Sequence, residues 1–162
     1  MKVILIIGEC GSGKTWVMKQ LIKALEINTS VYTYSAGLYR FVKKDGVVIT
    51  GVYNGDKFEG SDKLSMAVMT SNKQFQDAVK DARVVVCEGD RFTNSTFIKE
   101  FSPYIIRIED DGAEGRKLRG SNQTERHLKS IKTRVQSIPA DILVGNSEEC
   151  LKLVFGLVNN TD

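Results

Sequence analysis

The sequence has 162 residues, a length that predicts one domain over residues 1–162 with a hydrophobic core of its own. With 41% hydrophobic and 27% charged residues, 14 glycines and 2 prolines, its composition excludes collagen-like and low-complexity proteins. The formal net charge of +3 is compatible with a phosphate-rich partner, but many soluble enzymes share it, so it selects no function by itself.

The first apolar run, at residues 3–7, is too short to cross a bilayer and lacks the length and cleavage site of a signal peptide. We therefore expect a cytoplasmic protein without a membrane partner. Cys10, Cys87 and Cys150 are widely spaced and odd in number, which predicts reduced thiols rather than a zinc site or a disulfide framework. The sequence leaves the oligomeric state open.

The chain begins with a predicted strand and helix. Residues 3–7 are continuously apolar and are followed by Gly8, as expected of a strand buried on both faces of a parallel sheet. From Lys14 onward the apolar positions follow the period of an amphipathic helix. The first unit is therefore predicted to be strand, glycine-rich loop and helix.

A hairpin is predicted next. Two segments rich in β-forming residues, 38–44 and 47–53, flank Asp45-Gly46, and Asp-Gly between such segments indicates a two-residue turn. We interpret this hairpin, at about residues 38–53, as an insertion on an α/β core. Residues 54–65 contain several glycines and serines and are predicted to form a loop.

The rest of the chain alternates between helices and strands. Predicted helices cover residues 73–82, 93–101 and 113–138, with a final helix capped by Ser147, and predicted strands cover residues 83–88, 104–108 and 142–144. This alternation predicts an α/β fold in which helices flank a parallel sheet and the strands end at one common edge.

Residues 8–15, Gly-Glu-Cys-Gly-Ser-Gly-Lys-Thr, match the P-loop pattern G-x-x-x-x-G-K-[ST] at every fixed position. Glycines let the backbone turn its N–H groups toward an anion, and the N-terminus of the following helix adds the positive end of its dipole. Lys14 would reach the β- and γ-phosphates of ATP, and the Thr15 hydroxyl would bind Mg²⁺. The candidate ATP-binding residues are Gly8, Gly11, Ser12, Gly13, Lys14 and Thr15.

A P-loop needs an acidic partner at the end of a neighbouring strand, and Glu88, Asp90 and Arg91 follow the second buried strand. A carboxylate there would hold a magnesium-bound water or accept a proton from an attacking hydroxyl, and Arg91 would clamp a phosphate or a base edge. Glu88 ends the strand and is the candidate metal ligand beside Thr15, but the sequence does not choose a base between Glu88 and Asp90. The alternative is a solvated charged loop.

Residues 113–138 are rich in lysine and arginine and carry an apolar helical stripe. A basic helical lid of this kind would close over the γ-phosphate, neutralise charge and exclude water, with Arg116 and Arg119 as its catalytic candidates. Asn122, with Glu125 three residues later, is a reasonable start for the second part of this helix. The alternative is a solvated basic face.

The segment 60–66, Gly-Ser-Asp-Lys-Leu-Ser-Met, follows the hairpin and precedes a predicted helix. Asp62 is a candidate base for an acceptor hydroxyl, or a hydrogen-bond partner for a nucleobase; alternatively, Ser61 or Asp62 only caps a helix. Of two further residues near the motifs, we expect Trp16 to pack against the sheet, with an approach to the nucleotide as the alternative, and His127 to be a surface residue rather than a base.

Four stretches carry resemblances to two groups of kinases. Asp90-Arg91-Phe92, with Ser95 after it, resembles the Asp-Arg-aromatic motif of thymidylate kinases and related deoxynucleoside kinases. The P-loop, segment 60–66 and the run Arg-Gly-Ser-Asn-Gln at residues 119–123 together resemble small phage-type P-loop kinases, a group that includes kinases proposed to phosphorylate 5-hydroxymethyluracil in phage DNA. The resemblance implies a P-loop kinase fold, MgATP as phosphate donor, and the host cytoplasm as the location of a phage-encoded protein.

Three functions follow as hypotheses. A kinase acting on a hydroxyl acceptor, such as 5-hydroxymethyluracil in DNA, needs a general base and an open channel, and its basic lid would also track the DNA backbone. A nucleoside monophosphate kinase needs an arginine clamp and a closed pocket. A P-loop NTPase without an acceptor needs a residue that orients water. The short chain, the basic lid and the hairpin favour the first.

Overall fold

A computed structural model describes residues 1–55 and 59–161. The strands are β1 (Lys2–Gly8), β2 (Thr33–Ala36), β3 (Tyr39–Lys44), β4 (Val47–Thr50), β5 (Val84–Glu88), β6 (Tyr104–Ile108) and β7 (Ile142–Val144). The helices are α1 (Lys14–Ala24), α2 (Asn72–Val79), α3 (Ser95–Phe101), α4 (Ala113–Arg119), α5 (Glu125–Ser137) and α6 (Ser147–Asn159), and two short 3₁₀ helices cover Ser61–Lys63 and Met66–Thr70.

The described strands form one seven-stranded sheet in the order β2-β3-β4-β5-β1-β6-β7. The adjacent strands β4, β5, β1, β6 and β7 are parallel to one another. β2 pairs antiparallel with β3, and β3 pairs antiparallel with β4. The protein is therefore an α/β protein with a mixed sheet flanked by helices. Because β1, β5 and β6 are adjacent and parallel, the segments that follow Gly8, Glu88 and Ile108 leave the sheet at one edge.

The hairpin is present, and its second strand is part of the parallel core of the sheet. β3 and β4 are joined at Asp45 and Gly46, which both have positive φ (51° and 78°), as a two-residue turn of the primed type requires. β4 then pairs in parallel with β5, so it is an internal strand of the sheet rather than an addition to it. β2, which the sequence did not predict, adds an edge strand outside β3.

Two hydrophobic cores lie on the two faces of the sheet, and β1 contributes to both. Ile4 and Ile6 pack with α1 and α6, while Leu5 and Ile7 pack with α2, α3 and α5. Successive strand residues point to opposite faces, so a strand covered on both must be apolar throughout. This explains the uninterrupted apolar run that leads into the glycine-rich loop.

The predicted helix over residues 113–138 is two helices. Gly120 ends α4 in a left-handed conformation with φ of 60°, and its N–H donates to the backbone carbonyl of Lys117. α5 then begins at Glu125, where the Thr124 side chain accepts from the His127 N–H, so Thr124 rather than Asn122 is the cap.

Two other predicted details concern residues 54–65 and the last helix. Part of the predicted loop 54–65, residues 56–58, lies outside the described residues, and residues 61–63 form a 3₁₀ turn. The cap of α6 is Asn146, whose side chain accepts from the Glu149 N–H, and Ser147 is the first helical residue. No helix in the part of the chain that the structure describes is long and apolar enough to cross a membrane.

Candidate functional site

The loop between β1 and α1, residues 8–15, is called the glycine loop below. Gly11 and Gly13 have φ of 84° and 99°, a conformation that side-chain-bearing residues rarely adopt. A Cβ at Gly8 would lie 2.5 Å from the Ser12 Oγ, so a larger residue there would displace the Ser12 hydroxyl. α1 begins at Lys14 without a side-chain cap, which leaves its first N–H groups for an anion.

Lys14 lies along the glycine loop. Its Nζ donates to the backbone carbonyls of Gly8 at 2.9 Å and Glu9 at 3.0 Å, and the side chain is partly exposed. Ser12 differs from its neighbours in the loop, because its Oγ is buried without a hydrogen-bond partner among the described residues and does not line the cleft. The candidate ATP-binding role of Ser12 therefore rests on its backbone alone.

Glu88 is buried at the end of β5, with 4% of its surface exposed. Its Oε1 accepts a hydrogen bond from the Ser61 backbone N–H at 3.1 Å, across 27 residues of sequence. Burial raises the pKa of the Glu88 carboxyl, and the nearby Asp62 carboxylate raises it further. The Lys14 ammonium and the Ser61 N–H oppose this shift by stabilising the ionised form.

Glu88 and Thr15 face each other across Gly60. A Cβ placed on Gly60 would lie 2.7 Å from the Glu88 Oε1 and 3.4 Å from the Thr15 Oγ1, so both oxygens border one small space. Within residues 1–55 and 59–161, no group of three or more His, Cys, Asp and Glu side chains could hold a metal by itself. A hydroxyl and one carboxylate fit Mg²⁺, which is commonly held by one or two protein oxygens, water and substrate phosphates.

Asp90 and Arg91 make structural contacts at the same edge. The Asp90 Oδ1 accepts from Arg134 NH1 of α5 at 2.7 Å, which ties α5 to the end of β5. The Arg91 Nε donates to the Leu64 carbonyl at 3.2 Å, which holds the chain just beyond Asp62. Both residues still line the cleft, but each already supports a neighbouring segment.

α4 packs directly on the glycine loop through glycines. A Cβ on Gly112 would lie 1.9 Å from the Cys10 carbonyl oxygen, and one on Gly115 would lie 2.1 Å from that of Gly11. Arg116 adds to this contact, because its NH1 donates to the Cys10 carbonyl at 2.7 Å and to the Asp111 carbonyl at 2.8 Å. Arg116 therefore holds α4 on the loop and does not line the cleft, in contrast to its predicted catalytic position.

A cleft of about 440 Å³ opens over the glycine loop. The predicted site residues that line it are Gly8, Gly11, Gly13, Lys14, Thr15, Asp62, Glu88, Asp90, Arg91 and Arg119. These residues come from the segments after β1, β4, β5 and β6, which the parallel strands bring to one edge. Ser12 and Arg116 are the predicted residues that lie outside this lining.

Sequence reasoning missed several residues of the cleft. Trp16 is 40% exposed and lines the cleft, so the alternative to packing against the sheet describes it better. His127 is exposed, as expected of a surface residue, and also lines the cleft. Leu118, Ser121 and Gln123 complete the wall next to α4. The sequence does contain an indication of the position of Trp16. Val17, Met18 and Leu21 are buried on one side of α1, and the period of the helix then places Trp16 on the opposite, open side.

Comparison with protein-family models gave no match to this chain, and comparison with curated protein sequences gave none either.

Proposed function

We propose that the protein is an ATP-dependent kinase whose glycine loop is a P-loop. The observation that carries this proposal is the meeting of Lys14, Thr15, Glu88 and Asp62 in one cleft at the edge where parallel strands end. A phosphate-binding loop, a metal corner and a free carboxylate are the three parts that phosphoryl transfer needs. α4 and α5 form the proposed basic lid beside them.

The loop and its cations would bind the triphosphate. The Lys14 ammonium, now bonded to two loop carbonyls, would turn to the β- and γ-phosphates, which are stronger acceptors. Thr15 and Glu88 would hold Mg²⁺, which supplies charge neutralisation at the γ-phosphate. Arg119, exposed at the cleft wall, would contact the same phosphate from the lid.

Asp62 is the proposed general base. It is exposed in the cleft, whereas Glu88 is buried against Ser61 and Asp90 is paired with Arg134. The carboxylate would take the proton of the acceptor hydroxyl as that oxygen bonds to the γ-phosphorus. The bond to the β,γ-bridging oxygen breaks, and ADP leaves with the electron pair.

We propose DNA containing 5-hydroxymethyluracil as the acceptor, with the hydroxymethyl oxygen as nucleophile. The support is a row of exposed side chains on the outer face of α5, where Arg126, Lys129, Ser130 and Thr133 border an open depression beside Arg134. Cationic and hydroxyl side chains in a row suit phosphodiester oxygens. A target base extruded from the strand could then enter the cleft.

A nucleoside monophosphate is the second candidate acceptor. Arg91 and Arg119 both line the cleft, and two guanidinium groups would suit an acceptor phosphate. Arg91 already donates through its Nε to Leu64, which leaves its remaining donors for such a phosphate.

One assay separates these functions. Purified protein receives γ-labelled ATP and Mg²⁺ with either a panel of nucleoside monophosphates or DNA containing 5-hydroxymethyluracil. Label in the DNA supports the proposal, label in a diphosphate selects the second candidate, and label only in free phosphate indicates an NTPase without an acceptor. Lys14→Ala should abolish transfer, whereas Lys19→Ala, which removes an exposed α1 lysine paired with Glu59 at 2.8 Å, should leave it intact.

A further inference from the structure

Two large apolar side chains are exposed inside the cleft. Trp16 is 40% exposed and Leu118 is 82% exposed, and both belong to the lining. Of the large hydrophobic residues in the described part of the chain, no other is both exposed and in this lining. Exposing an indole ring and a leucine to water forgoes the stabilisation that burial would give them.

These two side chains come from the two helices that border the glycine loop, α1 and α4. Trp16 follows Thr15, the last residue of the loop, and stands on the open side of α1. Leu118 comes three residues after Gly115, where a Cβ would lie 2.1 Å from the Gly11 carbonyl oxygen in the middle of the loop. Because α4 is fixed on the loop by this contact, Leu118 is held over the loop rather than on a distant surface.

We propose that Trp16 and Leu118 form a binding site for the planar base of a nucleotide whose phosphates occupy the glycine loop. This inference rests on the proposed function only in assuming that the loop binds nucleotide phosphates. A nucleobase has two apolar faces and a polar edge, so it matches an indole on one side and a leucine on the other. In the same wall the Ser121 hydroxyl donates to the Gln123 Oε1 at 2.8 Å, and the Gln123 Nε2 donates to the Cys10 Sγ at 3.4 Å. The lone pairs and the N–H that these bonds leave unused would serve the edge of the base.

The base in this site belongs either to the phosphate donor or to the acceptor, because both are nucleotides in the proposed reaction. The chemistry of recognition is the same for both: stacking on Trp16 and apolar contact with Leu118. An experiment distinguishes the donor base from the acceptor base when the protein is given a ligand that carries only one of them.

Trp16 is the single tryptophan of the chain, so the protein's own fluorescence reports on the proposed site. Magnesium ATP, magnesium tripolyphosphate and the nucleoside 5-hydroxymethyl-2′-deoxyuridine are titrated separately. A fluorescence change with ATP well beyond that with tripolyphosphate assigns the site to the donor base, and a change with the nucleoside alone assigns it to the acceptor base. Equal changes with ATP and tripolyphosphate, together with none from the nucleoside, would overturn the inference.

Variants test the same site without fluorescence. Trp16→Ala and Leu118→Ala should each weaken calorimetric binding of the base-bearing ligand about tenfold, a typical loss for one stacked base, and leave tripolyphosphate binding unchanged. Trp16→Phe should restore most of the affinity. Tyr34→Ala is the matched control, because Tyr34 is also exposed, at 45%, but stacks on Phe41 away from the cleft and should have no effect.

The outcomes separate this inference from the proposed function. Full nucleotide affinity in Trp16→Ala and Leu118→Ala, with phosphate transfer intact, would overturn the base site and leave the kinase proposal standing. Base-dependent binding that needs Trp16, in a protein that transfers no phosphate to any acceptor, would support the base site while the kinase proposal fails.

Discussion

The buried Glu88 carboxylate accepts a hydrogen bond from the backbone N–H of Ser61 at 3.1 Å, and thereby joins the end of β5 to the turn that carries Asp62. Glu88 Oε1 and Thr15 Oγ1 also border the same space next to Gly60. The proposed metal corner and the proposed base are therefore fixed to each other by one side chain. A change that moves Glu88 should disturb magnesium binding and acceptor activation together.

Gly60→Ala should cause that double loss. The new Cβ would lie 2.7 Å from the Glu88 Oε1, and the φ of 84° at this position is strained for alanine. We expect a loss of stability of about 1–3 kcal/mol from the backbone strain, and a large loss of magnesium-dependent transfer. Chemical denaturation and the kinase assay at a temperature where the variant is folded measure the two effects.

Gly55→Ala is the control for Gly60→Ala. Gly55 has a similar φ of 87°, but among the described residues no atom would lie within 4 Å of a Cβ there. The control should lose some stability and keep its activity. If folded Gly60→Ala were as active as Gly55→Ala, the contact between Gly60 and Glu88 would not matter for the reaction.

Glu88 also predicts how stability depends on pH. Because burial raises its pKa in the folded protein above the ordinary value of 4.5, the protonated form is favoured on folding. Its favourable contribution is complete below that ordinary value and is lost as the pH rises through the raised pKa. Glu88→Gln, which keeps an oxygen acceptor for Ser61, should therefore gain stability relative to the wild type as the pH rises from 4 to 8.

The measurement for Glu88 is the free energy of unfolding of the metal-free protein at several pH values. Glu26→Gln, at an exposed position, is the control for the removal of one negative charge. A constant difference between Glu88→Gln and the wild type across this range would contradict the prediction. The same variant should lose magnesium-dependent ATP binding, because a neutral amide is a poor ligand for Mg²⁺.

The glycine loop was predictable because its pattern is local: Gly11, Gly13 and Lys14 are set by the backbone conformation of a few consecutive residues. The contact between Glu88 and Ser61 was not, since it joins positions 27 residues apart whose approach depends on the whole sheet. Parallel pairing of β4 with β5 likewise depends on distant residues, so the hairpin alone could not reveal it.

The close packing of α4 on the glycine loop could be predicted only in part from the sequence. Gly115 lies inside a predicted helix, where glycine lowers stability unless close packing requires it. The sequence could therefore indicate a close contact at this helix, but only the structure shows that the partner is the backbone of Gly11.

The ion pair between Asp90 and Arg134 should act mainly by holding α5 in place. The pair is 2.7 Å long, and its side chains are 32% and 40% exposed, so a double-mutant cycle should give a coupling free energy of only about 0.2–1 kcal/mol. Asp90→Asn and Arg134→Gln should reduce transfer by similar factors, and the double variant should be little worse than either. Asp62→Asn should be far more damaging, by about 10²–10⁴-fold, as the loss of a general base.

Activity separates the two possible roles of Asp90. An inactive Asp90→Asn beside an active Arg134→Gln would make Asp90, rather than Asp62, the base. Thermal unfolding of each variant is the control: the Asp→Asn substitutions conserve shape, and Arg134→Gln shortens a side chain that is 40% exposed, so each variant should remain folded.

A pair of glycines tests whether α4 is fixed on the glycine loop. Gly115 and Gly156 both lie inside helices without positive φ, so alanine at either position favours the helix by about 1 kcal/mol. In the part of the chain that the structure describes, no atom lies within 4 Å of a Cβ built on Gly156, whereas one on Gly115 would lie 2.1 Å from the Gly11 carbonyl oxygen. Gly156→Ala should therefore stabilise the protein and keep its ATP affinity.

Gly115→Ala should push α4 off the loop. The variant should lose stability despite its higher helix propensity, and its ATP binding, measured by calorimetry, should be weaker. Stabilisation by both substitutions, with unchanged ATP affinity, would mean that α4 is free to leave the loop, and that Leu118 and Arg119 are not held over the nucleotide by this contact.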